Sequence, residues 1–393
     1  MTGIKQEKQP LELYIHIPFC IKKCNYCDFL SGPCDQLEVK RYMTALLEEL
    51  KGRSRECQGY EVQTVFIGGG TPSVVDPEWI HRIMEALRGS YQLAENAEIT
   101  IEINPGTVEQ GKLHSYRSSG INRLSIGLQS ASDTELKKLG RIHTFDQFLE
   151  TYQEAFSSGF QNINVDVMSA LPGQTVDSYK KTLEALMLLE PRPTHISAYS
   201  LIIEEGTPFY DLWEQKKLDL PDEESERLMY DLTKRMLEAN GYHRYEISNY
   251  ALDGFECRHN CGYWQRREYL GIGLGAASLM KECRFCNGRD LESYIRQPLM
   301  QRQDVQNLTL EERMEEFMFL GLRMAQGVSE SAFRNQFGRE MQDVYKEVLF
   351  QNVADGLMVV KEADCQEGWK DRFYYLTDRG MDVSNYVMAQ FLF

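Results

Sequence analysis

The sequence predicts an α/β fold: a partial (β/α)6 barrel over residues 1–290, followed by a winged-helix-like α+β domain over residues 291–393. Short apolar, β-branched runs alternate with amphipathic stretches, polar motifs follow the ends of these runs, and the composition changes near residue 290. Strands that alternate with helices at this spacing form βαβ units and a parallel sheet. A doubly wound open sheet is the alternative.

The individual elements follow from hydrophobic periodicity. Strands are predicted over 13–17, 64–67, 99–103, 123–127, 163–168 and 195–201, with helices near 37–50, 77–88, 107–118, 145–157 and 176–189. In the C-terminal domain, Thr309 and Glu312 form a capping-box pattern before a helix over 310–325. Helices over 329–337 and 340–354, strands over 357–362 and 372–376, and a helical tail over 378–392 complete the prediction.

The composition narrows the class of protein. The 393 residues are 42% hydrophobic and 26% charged, as in soluble globular proteins. No apolar run reaches the roughly 18 residues of a membrane span, although peripheral association stays open. Ten cysteines without a visible export signal predict a reducing, cytoplasmic location. The net charge of −16 argues against nucleic-acid binding.

Three cysteines near the N-terminus, Cys20, Cys24 and Cys27, have the spacing C-x3-C-x2-C. Three thiolates on one loop can ligate three irons of a [4Fe–4S] cluster, which leaves the fourth iron open for a small molecule. Electron-transfer clusters ordinarily use four cysteines, so this loop indicates chemistry at the cluster. The alternative is a zinc or four-thiolate site that Cys34 completes.

Further polar residues lie at or after the C-terminal ends of predicted strands, where parallel sheets collect functional groups. They are Gly69, Gly70, Thr71, Glu102, Gln129 and Asp166. Arg141 is a further polar candidate that could pair with a ligand carboxylate. The glycine run is expected to permit close backbone approach to a ligand and to offer bare N–H groups. Glu102 is expected to alternate with inward-facing apolar residues, where a carboxylate needs a partner or a ligand. Each motif by itself also fits an ordinary turn or a solvated strand position.

A second group of candidates surrounds His259, which lies between cysteines and aromatic residues and is a candidate ligand for a haem iron or another metal, with a structural histidine as the alternative. Four cysteines nearby form either a zinc site or free buried thiols: Cys257, Cys261, Cys283 and Cys286. The run Gly271-Ile-Gly273-Leu-Gly275 lacks the full dinucleotide fingerprint, so we reject that interpretation.

Taken together, the motifs resemble radical S-adenosylmethionine proteins of the oxygen-independent coproporphyrinogen III oxidase group, over nearly the whole chain. The matching stretches are Tyr14–Cys20, Gly68–Ser73, Asn122–Ser130, Gly140–Thr144, Tyr245–Tyr250 and His259-Asn260-x-x-Tyr263-Trp264. The resemblance implies that Cys20, Cys24 and Cys27 hold a [4Fe–4S] cluster. It also implies that S-adenosylmethionine contacts Tyr14, Tyr26, Gly69, Gly70, Thr71 and Glu102, and that a second molecule of it contacts Gln129, Arg141 and Asp166.

Two departures favour a sister branch, the HemW-type haem chaperones. Only 19 residues precede Cys20, and Phe29 stands where the oxidase has a fourth cysteine. This branch implies haem bound through His259, haem-requiring proteins as acceptors, and an electron donor such as flavodoxin or ferredoxin. The alternative is a radical enzyme acting on a tetrapyrrole, either a coproporphyrinogen III dehydrogenase or a haem-modifying methyltransferase.

Overall fold

The computed structural model describes residues 8–364 and 370–393, and its first half contains six parallel strands joined by helices. The strands are β1 (Gln9–Ile17), β2 (Tyr60–Gly69), β3 (Leu93–Ile103), β4 (Arg123–Gln129), β5 (Asn162–Ser169) and β6 (His195–Ser200). The helices are α1 (Gln36–Arg53), α2 (Pro77–Ser90), α3 (Lys112–Ser119), α4 (Asp133–Leu139), α5 (Phe145–Ser157) and α6 (Val176–Met187). The six strands lie side by side in chain order, which confirms the barrel and excludes the doubly wound alternative.

Two helical details differ from the prediction. The helix expected from residue 107 begins at Lys112, because Pro105–Thr107 forms a 3₁₀ turn and Gly111 adopts a left-handed φ of 81° before the helix. The short helix α4 was not predicted. It begins at a Ser132 cap, where the side chain accepts a hydrogen bond from Glu135 N, and it ends at Gly140.

The chain after β6 widens this sheet to twelve strands, which the sequence did not predict. The added elements are α7 (Pro208–Glu214), α8 (Glu223–Ala239), β7 (His243–Arg244), β8 (Asn249–Ala251), α9 (Arg258–Trp264), β9 (Tyr269–Ile272), β10 (Ala277–Met280), β11 (Cys283–Asn287), α10 (Leu291–Arg296) and β12 (Arg302–Asn307). Strand β9 pairs in parallel with β1, and β8 pairs antiparallel with β6. The order β12-β11-β10-β9-β1-β2-β3-β4-β5-β6-β8-β7 therefore extends the barrel at both of its edges.

The two faces of the six central strands have opposite polarity. Leu13, Ile101 and Ile126 belong to the main apolar core, together with helix residues such as Leu46 and Ile83. The alternate positions carry polar side chains, many of which line a central cavity. The expectation that Glu102 alternates with inward-facing apolar residues was therefore wrong: its apolar neighbours pack against the helices, and the inner face is polar.

The C-terminal region has its own small sheet and apolar core, and its elements follow the predicted order, apart from one additional short strand and a tail divided into two short helices. It contains α11 (Leu310–Gly321), β13 (Val328–Ser329), α12 (Glu330–Phe337), α13 (Met341–Ala354), β14 (Met358–Asp364), β15 (Lys370–Leu376), α14 (Asp378–Asp382) and α15 (Ser384–Ala389). Strands β13, β15 and β14 form an antiparallel sheet, and the predicted capping box of Thr309 and Glu312 begins α11. A boundary at residue 291 stays a prediction. No helix within the described ranges is long and apolar enough to cross a membrane.

Candidate functional site

The N-terminal cysteines and the polar residues that follow the strands meet in one cavity of about 140 Å³. Its lining includes Cys20, Cys24, Cys27, Tyr26, Gly69, Gly70, Thr71, Glu102, Gln129, Arg141 and Asp166. These residues come from loops and strand ends far apart in sequence, and they converge because parallel strands end at the same rim of the barrel. Cys34 is not part of this lining.

The cysteine loop is fixed by hydrogen bonds to its surroundings. Asn25 donates from its backbone N to Leu139 O at 2.9 Å and from its side chain to Lys138 O at 2.8 Å, which ties the loop to the end of α4. Arg141 extends from the same side: one Nη donates to Gly127 O at 2.6 Å, and the other lies 3.8 Å from Cys24 Sγ. The thiols are thus held on a loop of fixed shape.

The thiol arrangement fits a cluster better than a single ion. Within residues 8–364 and 370–393, no three His, Cys, Asp or Glu side chains converge closely enough to bind one metal ion. A [4Fe–4S] cluster does not require such convergence, because each thiolate ligates a different iron. The zinc alternatives, with Cys34 or with the cysteines between residues 257 and 286, therefore find no support in the described residues.

The glycine run joins this loop to Glu102. Gly69 has a φ of 116°, and a Cβ on Gly70 would lie 2.6 Å from the carbonyl oxygen of Phe19. The expected bare N–H groups are absent at Gly69, Gly70 and Thr71. Gly69 N donates to Glu102 Oε2 at 3.0 Å, and the next two N–H groups donate to backbone carbonyls of the cysteine loop and β1. Close packing, more than anion binding, explains why this run is glycine.

Two carboxyl groups face the same buried space. Burial, and secondarily the nearby Asp166, raises the pKa of Glu102 to about 8, while the bond from Gly69 lowers it. Burial also raises the pKa of Asp166, which accepts hydrogen bonds from Asn164 at 2.8 Å and Ser125 at 3.3 Å. Neighbouring carboxyl groups with raised pKa values are stabilised in their ionised form by a cation. The site is therefore suited to a positively charged ligand.

A larger cavity of about 540 Å³ adjoins the first one and shares Glu102, Ser125 and Asp166 with it. Aromatic residues form much of its wall: Tyr14, Phe66, Tyr199, Tyr263, Trp264 and Tyr269. Tyr14 lies here and not in the cysteine cavity, and its hydroxyl is 3.0 Å from His16 Nδ1. Volumes of 300–1,000 Å³ with apolar walls and a few polar groups are typical of sites for organic ligands.

His259 belongs to the wall of this larger cavity, and both of its ring nitrogens have partners. Nδ1 lies 2.7 Å from Thr64 Oγ1 and 3.9 Å from Glu12 Oε2, and Nε2 lies 3.0 Å from the Tyr263 hydroxyl. The ring stacks on Phe66 with centroids 5.2 Å apart. Burial, and after it the charge of a nearby arginine, lowers the pKa of His259 to about 3, so the imidazole is neutral at pH 7.

Glu98, which the sequence analysis missed, positions the helix that carries His259. Its two carboxylate oxygens accept hydrogen bonds from the backbone N of Arg258 and of His259, each at 3.2 Å. A carboxylate at the first N–H groups of a helix satisfies unpaired donors and complements the helix dipole. The only signal for it in the sequence is the polar alternation at residues 98, 100 and 102.

Comparison with known proteins assigns the chain to a family. Residues 14–186 match the Radical SAM superfamily, and residues 308–365 match the HemN C-terminal domain. The chain is 35% identical to the heme chaperone HemW of Bacillus subtilis over 383 residues, which covers 96% of this chain and 98% of that protein. It is 34% identical to the heme chaperone HemW of Escherichia coli, with 98% of each chain covered.

The chain belongs to the HemW family of radical SAM proteins. Its fold is that of coproporphyrinogen III oxidase (HemN) from Escherichia coli, with a TM-score of 0.81 over 98% of this chain and 91% of that structure, at 24% identity. The radical SAM superfamily implies a [4Fe–4S] cluster and S-adenosylmethionine. The first cavity fits both, because it combines three thiols with a buried carboxyl pair suited to a cation.

Proposed function

We propose that this member of the HemW family is a haem carrier, which binds haem in the larger cavity and passes it to haem-requiring proteins. The observation that carries the proposal is His259: a neutral, buried imidazole on the wall of a 540 Å³ cavity lined by aromatic residues. A neutral imidazole is the form that binds iron. Thr64 holds Nδ1, as groups around metal-bound histidines do, and so leaves Nε2, beside the cavity-lining Tyr263, as the nitrogen for iron.

Haem binding then requires one local rearrangement. The Tyr263 hydroxyl occupies the position beside Nε2, so it has to move away for iron to bind there. The bond between His259 and Thr64 can persist during this change, because it involves the other ring nitrogen. The cost is one neutral hydrogen bond, about 1 kcal/mol, which a metal–ligand bond readily exceeds.

In the adjoining cavity we assign Cys20, Cys24 and Cys27 to a [4Fe–4S] cluster. We assign the remaining predicted residues of that cavity, together with Tyr14, to S-adenosylmethionine in one or two molecules. When bound, these groups supply one-electron reduction of a sulfonium. The protein provides a loop fixed to α4, a tight glycine run, and the carboxyl groups of Glu102 and Asp166 for a cationic ligand.

The test is haem titration of anaerobically purified, cluster-reconstituted protein. We expect stoichiometric binding by the wild type, and a weaker, spectrally shifted complex with His259→Ala. His114→Ala, on the exposed face of α3, is the matched control and should bind haem as the wild type does. Unchanged affinity and an unchanged Soret band in His259→Ala would remove His259 from the proposal.

A tetrapyrrole-modifying radical enzyme is the second candidate. It is favoured by one observation: the two cavities share Glu102, Ser125 and Asp166, so ligands of the two could meet. Anaerobic incubation with coproporphyrinogen III, S-adenosylmethionine and a reductant distinguishes the two functions, because a decarboxylated product contradicts the carrier. A flavodoxin or ferredoxin as electron donor, and the cytoplasmic location, stay predictions.

A further inference from the structure

Arg123 is a buried cation without a matching partner. It opens β4, is 2% exposed, and lines the larger cavity. Its Nε has no hydrogen-bond partner among the described residues. Burial by itself lowers the pKa of Arg123, but nearby negative charges, among them Glu98 and Asp166, raise it and keep the guanidinium protonated. Burying an incompletely satisfied guanidinium is costly, so an arginine in this position calls for a partner that arrives from outside the chain.

The other arginines of the same wall differ from Arg123 because they already have partners. Arg266 Nε donates to Glu316 at 2.7 Å, and Arg284 forms a salt bridge with the other oxygen of the same carboxylate at 2.8 Å. In the adjoining cavity, Arg141 also has an Nε without a hydrogen-bond partner among the described residues, but one of its Nη groups donates to the carbonyl of Gly127. Among the described residues, Arg123 is thus the arginine of these walls whose side chain has neither a hydrogen bond nor an ion pair with another residue.

We propose that Arg123 binds a propionate carboxylate of the tetrapyrrole in the larger cavity, an inference that rests on the proposed haem function. A guanidinium matches a carboxylate through two parallel N–H···O bonds, the geometry that a propionate offers. Arg123 and His259 line the same cavity. After burial, the positive charge of Arg123 is the second cause that lowers the pKa of His259, and it acts through space. Iron at His259 and a propionate at Arg123 would fix the macrocycle at two separate points.

The test compares haem with haem dimethyl ester, in which both propionates are neutralised. Binding of each to the anaerobic, cluster-containing protein is followed by the Soret band, for the wild type, Arg123→Lys, Arg123→Gln and Arg267→Gln. The wild type should prefer the diacid by tenfold or more, equivalent to about 1.4 kcal/mol. Arg123→Gln should abolish this preference by weakening binding of the diacid more than binding of the ester.

Two variants control the interpretation. Arg123→Lys retains a positive charge near Glu98 and Asp166 but loses the planar guanidinium with its paired N–H donors, so its preference for the diacid should be reduced. This variant also keeps the test usable if Arg123→Gln fails to fold. Arg267 carries a charge close to α9 but is not part of the wall of the larger cavity, so Arg267→Gln should retain the full preference.

Several results would overturn the inference. One is a wild type that binds diacid and ester equally, and another is a preference that survives in both Arg123 variants. Equal loss of preference in Arg267→Gln would indicate a general effect of charge. Because S-adenosylmethionine also carries a carboxylate, its affinity is measured in parallel, and a loss confined to that ligand would assign Arg123 to it instead. If neither haem form binds the wild type, the haem function itself fails.

Discussion

Replacing Glu12 with Gln is expected to remove a large part of the pH dependence of folding stability. Glu12 lies in β1, is fully buried, and has two carboxyl oxygens without a hydrogen-bond partner among the described residues. Burial is the main cause that raises the pKa of Glu12 from 4.5 to about 9, with Arg267 acting in the opposite direction. At pH 7 the carboxyl group is therefore neutral in the folded chain and ionised in the unfolded chain.

The sign and size of the effect follow from this difference. Between pH 4.5 and about 9, the folded state holds a proton that the unfolded state has lost, so stability falls as pH rises through this window. Each pH unit costs about 1.36 kcal/mol, or about 2.7 kcal/mol between pH 6 and pH 8. With an unfolding entropy of roughly 2.1 cal/mol/K per residue, a chain of 393 residues loses about 3 °C in Tm.

The assay is calorimetric Tm of the metal-free wild type and of Glu12→Gln at pH 6 and pH 8. The Tm of Glu12→Gln minus the Tm of the wild type should be about 3 °C larger at pH 8 than at pH 6. Glu48→Gln, at an exposed position of α1, is the control and should shift the difference by less than 1 °C. A difference that is the same at both pH values would refute a neutral Glu12.

Other substitutions test the packing around the two cavities. Gly70→Ala should displace the cysteine loop and lower iron and sulfide content after reconstitution by half or more, whereas Gly32→Ala, with nothing within 4 Å of its added Cβ, should retain both. Glu98→Gln should cost about 1 kcal/mol in urea unfolding and broaden the Soret band, because α9 loses a charged acceptor at its first N–H groups. An unshifted midpoint and band would contradict that role. Gly262→Ala places a Cβ against the buried carboxyl group of Glu12 and should cost about 1–3 kcal/mol, with most of the loss recovered in a Glu12→Ala background; an additive double-mutant cycle would argue against this contact.

The sequence was sufficient for the central barrel but not for its extensions. The six parallel strands carry enough β-branched residues to be recognised, and the cysteine loop and glycine run directly follow β1 and β2. Strands β7 and β9 span only two and four residues, too few for any periodicity to appear. The place of β9 in the sheet depends on pairing with β1, more than 250 residues earlier in the chain, and β7 pairs with β8, which is itself only three residues long.

The deep end of the larger cavity was missed for a related reason. The residues of β4 alternate between polar and apolar, but every one of them is buried, so the sequence pattern suggests a solvent-facing polar side where the structure has the lumen. Arg123 and Glu98 therefore read as ordinary strand positions until the neighbouring strands are in place. Tyr14 is a further example. The family resemblance implies that it contacts S-adenosylmethionine, but its side chain lines the larger cavity and not the cysteine cavity.

The six strands have an apolar outer face, which packs against the helices and stabilises the fold, and a polar inner face, which lines the cavities for ligands. The apolar layer between sheet and helices carries the hydrophobic stabilisation, whereas the lumen contributes little of it. A substitution at a lumen position is therefore expected to remove less apolar burial than a substitution of equal size in the outer layer, provided that the buried charged groups are kept. Such a scaffold is a favourable starting point for laboratory evolution of binding.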